Sequence, residues 1–166
     1  MIKITKVLVA TDFSDASEPA LLYGRELART FGAALHVLHV VESPMMWVGP
    51  ESAGVDFGRL QAELQASAES KLDKIVTAED REQLKAVTAI RTGNSTAFEI
   101  AGYAKHEGID IIVMGTHGRG VMAHLLMGNV AEKVVRIAPC PVLTVRHPEH
   151  EFIQPDALEA FGAVKR

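Results

Sequence analysis

Short apolar, β-rich runs alternate with amphipathic helical stripes along nearly the whole chain, and this alternation limits the fold more than any other feature. The strand candidates are residues 6–11, 34–41, 86–91, 109–114 and 141–146. Between them, Ala16/Ala20/Leu27/Phe31, Leu60/Leu64/Ala68/Leu72/Val76, Ala97/Ile100/Ala101/Ala104 and Val130/Val134/Ile137/Ala138 recur at helical spacing and give four helices. Strict alternation predicts parallel strands joined by right-handed crossovers, with helices on both faces of one sheet. The run Ile109-Asp110-Ile111-Ile112-Val113-Met114 reads as a central strand, buried on both sides except at its Asp. The expectation is a doubly wound, Rossmann-like α/β domain, which binds ligands outside the C-terminal ends of its strands where strand order reverses.

Composition narrows the classes of partner. The 166 residues suit one domain, and 48% hydrophobic against 5% aromatic residues imply an aliphatic core. The net charge is −4 and no basic run is longer than the closing Lys165-Arg166, so a polynucleotide backbone finds no electrostatic footprint. Cys140 is the only cysteine and cannot form an internal disulfide. No apolar stretch has the length of a signal-peptide core or a membrane span, and a cytoplasmic protein without membrane or nucleic-acid partners is expected.

The chemistry should therefore sit at strand ends. Strand one ends in Thr11-Asp12-Phe13-Ser14, and Asp15 and Glu18 follow with the spacing of a capping box, so Ser14 or Asp15 is expected to cap the first helix. Asp12 precedes that cap and faces the expected crevice; a ribose, a base or a metal could use it, and so could solvent. After strand two, residues 42–58 carry Met45, Met46 and Trp47 in a Gly- and Pro-punctuated loop, either a lid or partner contact or a fold-back onto the core.

Residues 114–133, Met-Gly-Thr-His-Gly-Arg-Gly-Val-Met-Ala-His-Leu-Leu-Met-Gly-Asn-Val-Ala-Glu-Lys, hold four glycines in a connection longer than the usual two to six residues. Asn129, with Glu132 three residues on, predicts a helix start. That leaves Gly115, Gly118 and Gly120, whose entropic cost implies positive φ or close approach to the backbone, and whose free N–H groups can form an anion nest. The N-terminus of the next helix adds unpaired donors and a positive dipole end, which suits phosphate. His117 and Arg119 supply further donors or charge. No Walker A string occurs, and the GxGxxA spelling at residues 118–123 follows the fourth strand with no acid closing a later strand.

The spacing that fits is Gly115, two residues, Gly118, nine residues, Gly128. Together with Val7-Leu8-Val9-Ala10-Thr11-Asp12-Phe13-Ser14, Leu38-His39-Val40 and Ala138-Pro139-Cys140-Pro141-Val142-Leu143, it resembles the universal stress protein family over about residues 4–146. The resemblance implies a domain over residues 1–146 with strand order 3-2-1-4-5, a C-terminal extension over 147–166, a homodimer, and ATP or AMP as ligand, with Mg accompanying ATP. Carried over by residue, Asp12 with Thr11 beside it lies by the ribose or adenine, and Val40 offers backbone to adenine. Met114 and Gly115 border the ribose, while Gly118 and the Gly128-Asn129-Val130 turn hold the phosphates. Many nucleotide-binding members have Ser or Thr where this chain has Asn129, whose side-chain N–H can replace the hydroxyl.

Neither His147/Glu149/His150 nor His36/His39 shows a full metal-ligand set, and solvated histidines are expected. Cys140 reads as a packed residue at a strand start, and no hydrolytic triad is evident. Strand five is an expected edge whose pairing with its copy would form the dimer. The sequence thus predicts a stress-response protein using ATP or AMP as a regulatory ligand, with at most slow hydrolysis. The alternative is a nucleotide-free dimeric interaction module of the same fold.

Overall fold

The computed structural model describes residues 2–44, 54–116 and 129–146; residues 1, 45–53, 117–128 and 147–166 lie outside them. Strands β1 (Lys6–Ala10), β2 (Ala34–Glu42), β3 (Val87–Gly93), β4 (Ile111–Gly115) and β5 (Val142–Val145) pair in parallel in the order β3-β2-β1-β4-β5. Helices α1 (Glu18–Phe31), α2 (Phe57–Ile75), α3 (Ala78–Gln83), α4 (Thr96–Glu107) and α5 (Asn129–Ile137) connect them.

Alternate strand residues feed two apolar layers, as a period of two requires. Val7, Val9, Leu35, Val37 and Val113 pack with Ala20 and Ala28 of α1 and Leu72 of α2. Leu8, Ala10, Leu38, Val40, Ile112 and Met114 pack with Ala97 and Ile100 of α4 and Ala131 and Val134 of α5 on the opposite face. The middle strand is β1, with β4 between it and β5. Asp110 stands just before β4, where its Oδ2 accepts the Thr5 N–H at 2.6 Å, the Thr5 hydroxyl at 2.8 Å and the Lys6 N–H at 3.0 Å. An acid that breaks an apolar run thus ties the entries of β1 and β4 together.

Helix α1 lies close over β1 because Gly24 has no Cβ; one added there would overlap Val9 Cγ2. Its N-cap is Ser17, neither Ser14 nor Asp15. Ser14 stands three residues earlier, where its N–H and hydroxyl are donated to Asp12 Oδ1 and its carbonyl accepts the Ser17 N–H at 2.9 Å, so a separate turn precedes the helix. Pro19 in the first helical turn then presets the backbone.

The sequence pattern did not reveal α3. It is held by a capping box, in which Thr77 Oγ1 accepts the Asp80 N–H at 3.1 Å and Asp80 Oδ2 accepts the Thr77 N–H at 2.9 Å. The buried Asp80 carboxylate also takes both arms of a fork from Arg25, Nε at 2.9 Å and Nη2 at 2.7 Å, joining α3 to α1. Asn129 falls within α5, and Gly128 before it lies outside the described residues.

Candidate functional site

Beyond the C-terminal ends of β1 and β4 the chain departs in opposite directions, toward β2 through α1 on one face and toward β5 through α5 on the other. Such a switch point leaves a crevice, because no connection crosses it. A cavity of about 610 Å³ opens there, within the usual size range of small-molecule sites. Its walls come from the ends of β1 (Thr11, Asp12, Phe13), β2 (Val40, Val41, Glu42) and β4 (Met114, Gly115, Thr116), from Ser67 and Lys71 of α2, and from Asn129 and Val130 opening α5.

The exit of β1 is a built turn. The Thr11 N–H still donates to the Leu38 carbonyl at 3.0 Å, but Phe13 then takes φ of 62°, a left-handed conformation unusual for a bulky side chain. The Phe13 N–H is received by Thr11 Oγ1 at 3.0 Å, and the Ser14 N–H by Asp12 Oδ1 at 3.1 Å. The Thr11 hydroxyl also lies 3.0 Å from that of Ser17. On the α2 side the Phe13 ring stands 4.3 Å from the His39 ring, centroid to centroid, and Lys71 Nζ lies 5.5 Å from the Phe13 centroid. His39 Nδ1–H donates to the Thr11 carbonyl at 2.8 Å.

Among the described lining residues, Asp12 and Glu42 carry negative charge and Lys71 positive charge. The Thr96 hydroxyl donates to Glu42 Oε1 at 3.2 Å, fixing the carboxylate at the end of β2 against α4. The N-terminus of α5 adds the positive end of a helix dipole at the cavity rim.

The candidates Thr11, Asp12, Val40, Met114, Gly115, Asn129 and Val130, widely separated in sequence, therefore line one cavity. His117, Gly118, Arg119 and Gly128 lie outside the described residues. Phe13, His39, Ser67 and Lys71 belong to the same wall and were not singled out as cavity residues from the sequence. The signal for Lys71 was faint but present, since it falls beside Ala68 and Leu72 on the apolar stripe of α2.

Against the expectation of solvated histidines, neither His36 nor His39 is exposed. His36 is buried, not solvated, with Nδ1 2.9 Å from the Tyr103 hydroxyl. Burial first, and Lys6 second, pushes its pKa below the ordinary value. His39 is half-buried on the opposite face, because three residues along a strand reverse the side-chain direction. The two rings therefore cannot share a metal, and no group of three or more His, Cys, Asp or Glu side chains gathers into a metal site among the described residues. Cys140 is half-buried against the α4/α5 layer, and burial above all raises its thiol pKa. No helix among the described residues is long and apolar enough to cross a membrane.

The family model described as the universal stress protein family matches residues 3–146. A universal stress protein of Methanocaldococcus jannaschii, MJ0531, is 32% identical over 147 residues, 88% of this chain and 84% of that protein. The structure of the universal stress protein UspA from Lactobacillus plantarum matches with a TM-score of 0.76 at 28% identity, covering 88% of this chain and 100% of that one. A universal stress protein from Archaeoglobus fulgidus, solved in complex with dAMP, has the same fold with a TM-score of 0.59 at 21% identity, over 87% of this chain and 98% of that one.

Proposed function

Because the chain belongs to the universal stress protein family, we propose that its crevice binds an adenine nucleotide, AMP or Mg-ATP, as a regulatory ligand in a cytoplasmic stress response. The observation that carries the reading is the cavity itself, which is lined both by Val40 near the end of β2 and by Asn129 and Val130 of α5. An adenine edge sets a ring-nitrogen acceptor beside an amine donor, and a strand residue offers the matching N–H and C=O. A helix N-terminus suits phosphate, and the glycine spacing through Gly115, Gly118 and Gly128 supports the same end. Asp12, with Thr11 beside it, is assigned to the ribose or base, Met114 to the ribose border, and Asn129 and Val130, with His117 and Arg119, to the phosphates. The dAMP complex of a protein with this fold agrees with that class of ligand. Turnover is slow at most, and two copies pair through β5, an edge strand with half-buried Val142, Leu143 and Thr144.

The test is extraction of small molecules from the purified protein, followed by calorimetric titration with AMP and with ATP in the presence and absence of Mg. Saturable binding is expected. No saturable binding at millimolar nucleotide overturns the reading and leaves the nucleotide-free interaction module.

A further inference from the structure

Along a strand in a parallel ladder, each residue points its N–H and C=O to one neighbour and the next residue points its own to the other. The Leu38 carbonyl accepts from Thr11, so the peptide groups of Leu38 face β1, those of His39 face β3, and those of Val40 face β1 again. Ala10 stands opposite Leu38, so one more step of the ladder would set the Thr11 carbonyl on the Val40 N–H. That step is missing. The Thr11 carbonyl accepts instead from His39 at 2.8 Å, and since a carbonyl has no proton to give, Nδ1 carries it.

Two further N–H groups of the turn are closed by side chains within it. Thr11 Oγ1 takes the Phe13 N–H and Asp12 Oδ1 takes the Ser14 N–H. The left-handed Phe13 turns β1 off the sheet and lays its ring on that of His39. Val40 lines the cavity, and on the β1 side its peptide groups have no protein partner among the described residues.

We infer that His39 is a positioning residue that ends the β1–β2 ladder: by taking the Thr11 carbonyl it keeps the Val40 N–H and C=O open to the edge of a base. A poorly solvated carbonyl needs a partner. Without the imidazole donor, the donor in ladder register is the Val40 N–H, and pairing with it draws the end of β1 onto β2 and closes this part of the crevice. What occupies Val40 rests on the nucleotide reading above, whereas the end of the ladder does not.

Two variants and two readouts test this. His39→Phe keeps a ring against Phe13 and removes the donor, and His39→Asn returns an N–H near the position of Nδ1. In the ligand-free protein, amide hydrogen exchange should be much faster at Val40 than at Leu38; His39→Phe should slow Val40 at least tenfold and His39→Asn should leave it fast. Affinity for 5′-AMP should fall about tenfold in His39→Phe, the scale of one hydrogen bond, and recover in His39→Asn. A Val40 amide as protected as Leu38 in the native chain, unchanged exchange in His39→Phe, or undiminished AMP affinity in that variant overturns the inference. If the native chain binds neither AMP nor Mg-ATP, the nucleotide reading fails alone and Val40 exchange still decides the role of His39. If His39→Phe does not fold, the Val40 to Leu38 comparison in the native chain decides.

Discussion

Replacing Asp80 by Asn removes one charge and leaves the side-chain volume almost unchanged. The residue is 2% exposed, and its carboxylate accepts from Arg25 Nε at 2.9 Å, Arg25 Nη2 at 2.7 Å and the Thr77 N–H at 2.9 Å. Removing one partner of a buried ion pair costs about 3–5 kcal/mol, because the other charge is left uncompensated. The Arg25 side chain keeps 16% of its exposure and also donates to the Ile75 carbonyl at 2.7 Å, so part of its charge stays solvated and bonded. The expected loss is therefore at the low end, about 3 kcal/mol, or about 6–12 °C in the thermal midpoint of a domain this size. Burial acts to raise the Asp80 pKa, but the hydrogen bonds from Arg25 and then Thr77 outweigh it and leave the carboxyl below its ordinary value. As pH falls the unfolded chain takes up the proton first. The contribution of the pair is whole above about pH 4, the unfolded value, and is lost as pH falls through the lower folded value. Urea titrations and thermal melts of both proteins between pH 7 and pH 3 check this: the gap is about 3 kcal/mol at neutral pH and narrows below about pH 4. A loss below about 1 kcal/mol, typical of an exposed pair, or a gap that does not narrow on acidification, refutes the reasoning. The outcome bears on the crevice too, because Arg25 ties α1 to the end of α2, and α2 carries Ser67 and Lys71 into the cavity wall.

In β5 the Pro141 carbonyl accepts from Ile112 and the Val145 carbonyl from Thr116, so the Thr144 N–H points away from β4. Thr144→Pro should abolish a dimer built on that edge, read by sedimentation, while the far-ultraviolet spectrum and melting cooperativity persist; a variant that stays dimeric places the interface elsewhere. On the proposed nucleotide reading, Gly118→Val or Gly128→Val should lose nucleotide affinity in calorimetry while the proposed dimer survives, and equal loss of folding would make these glycines structural. For His36, whose folded pKa is lowered, the unfolded chain protonates first, so stability falls as pH drops below about 6.5; urea titrations should find that part of the slope gone in His36→Gln.

The strands and their alternation with helices were legible because a buried parallel sheet requires continuous apolar runs, and the runs ending near Ala10, Glu42, Gly115 and Val145 mark real strand ends. Once those ends are placed, topology alone collects Asp12, Val40 and Gly115 around a switch point. Helix α3 is hidden because six residues show no helical period; its capping box is local, but the ion pair that anchors it to α1 joins Asp80 to Arg25, 55 residues apart. The cap of α1 is not legible in the local spacing, because Ser14 closes a turn with Ser17 through its carbonyl and the helix starts only after that turn.

For His36 and His39, local pattern sets the face of the strand but not the bonding partner. Period two on β2 assigns them to opposite faces, and that much follows from their numbers alone. Both break an apolar run, so each needs a polar partner once the strand is buried on two sides. Sequence does not name those partners, since one is Tyr103, 67 residues away, and the other is the Thr11 carbonyl, 28 residues away, available only because β1 has turned off the sheet. The first bond fills a layer of the core. The second occupies the position where the ladder would have continued, so the same residue type serves packing on one face of β2 and the opening of a cavity on the other.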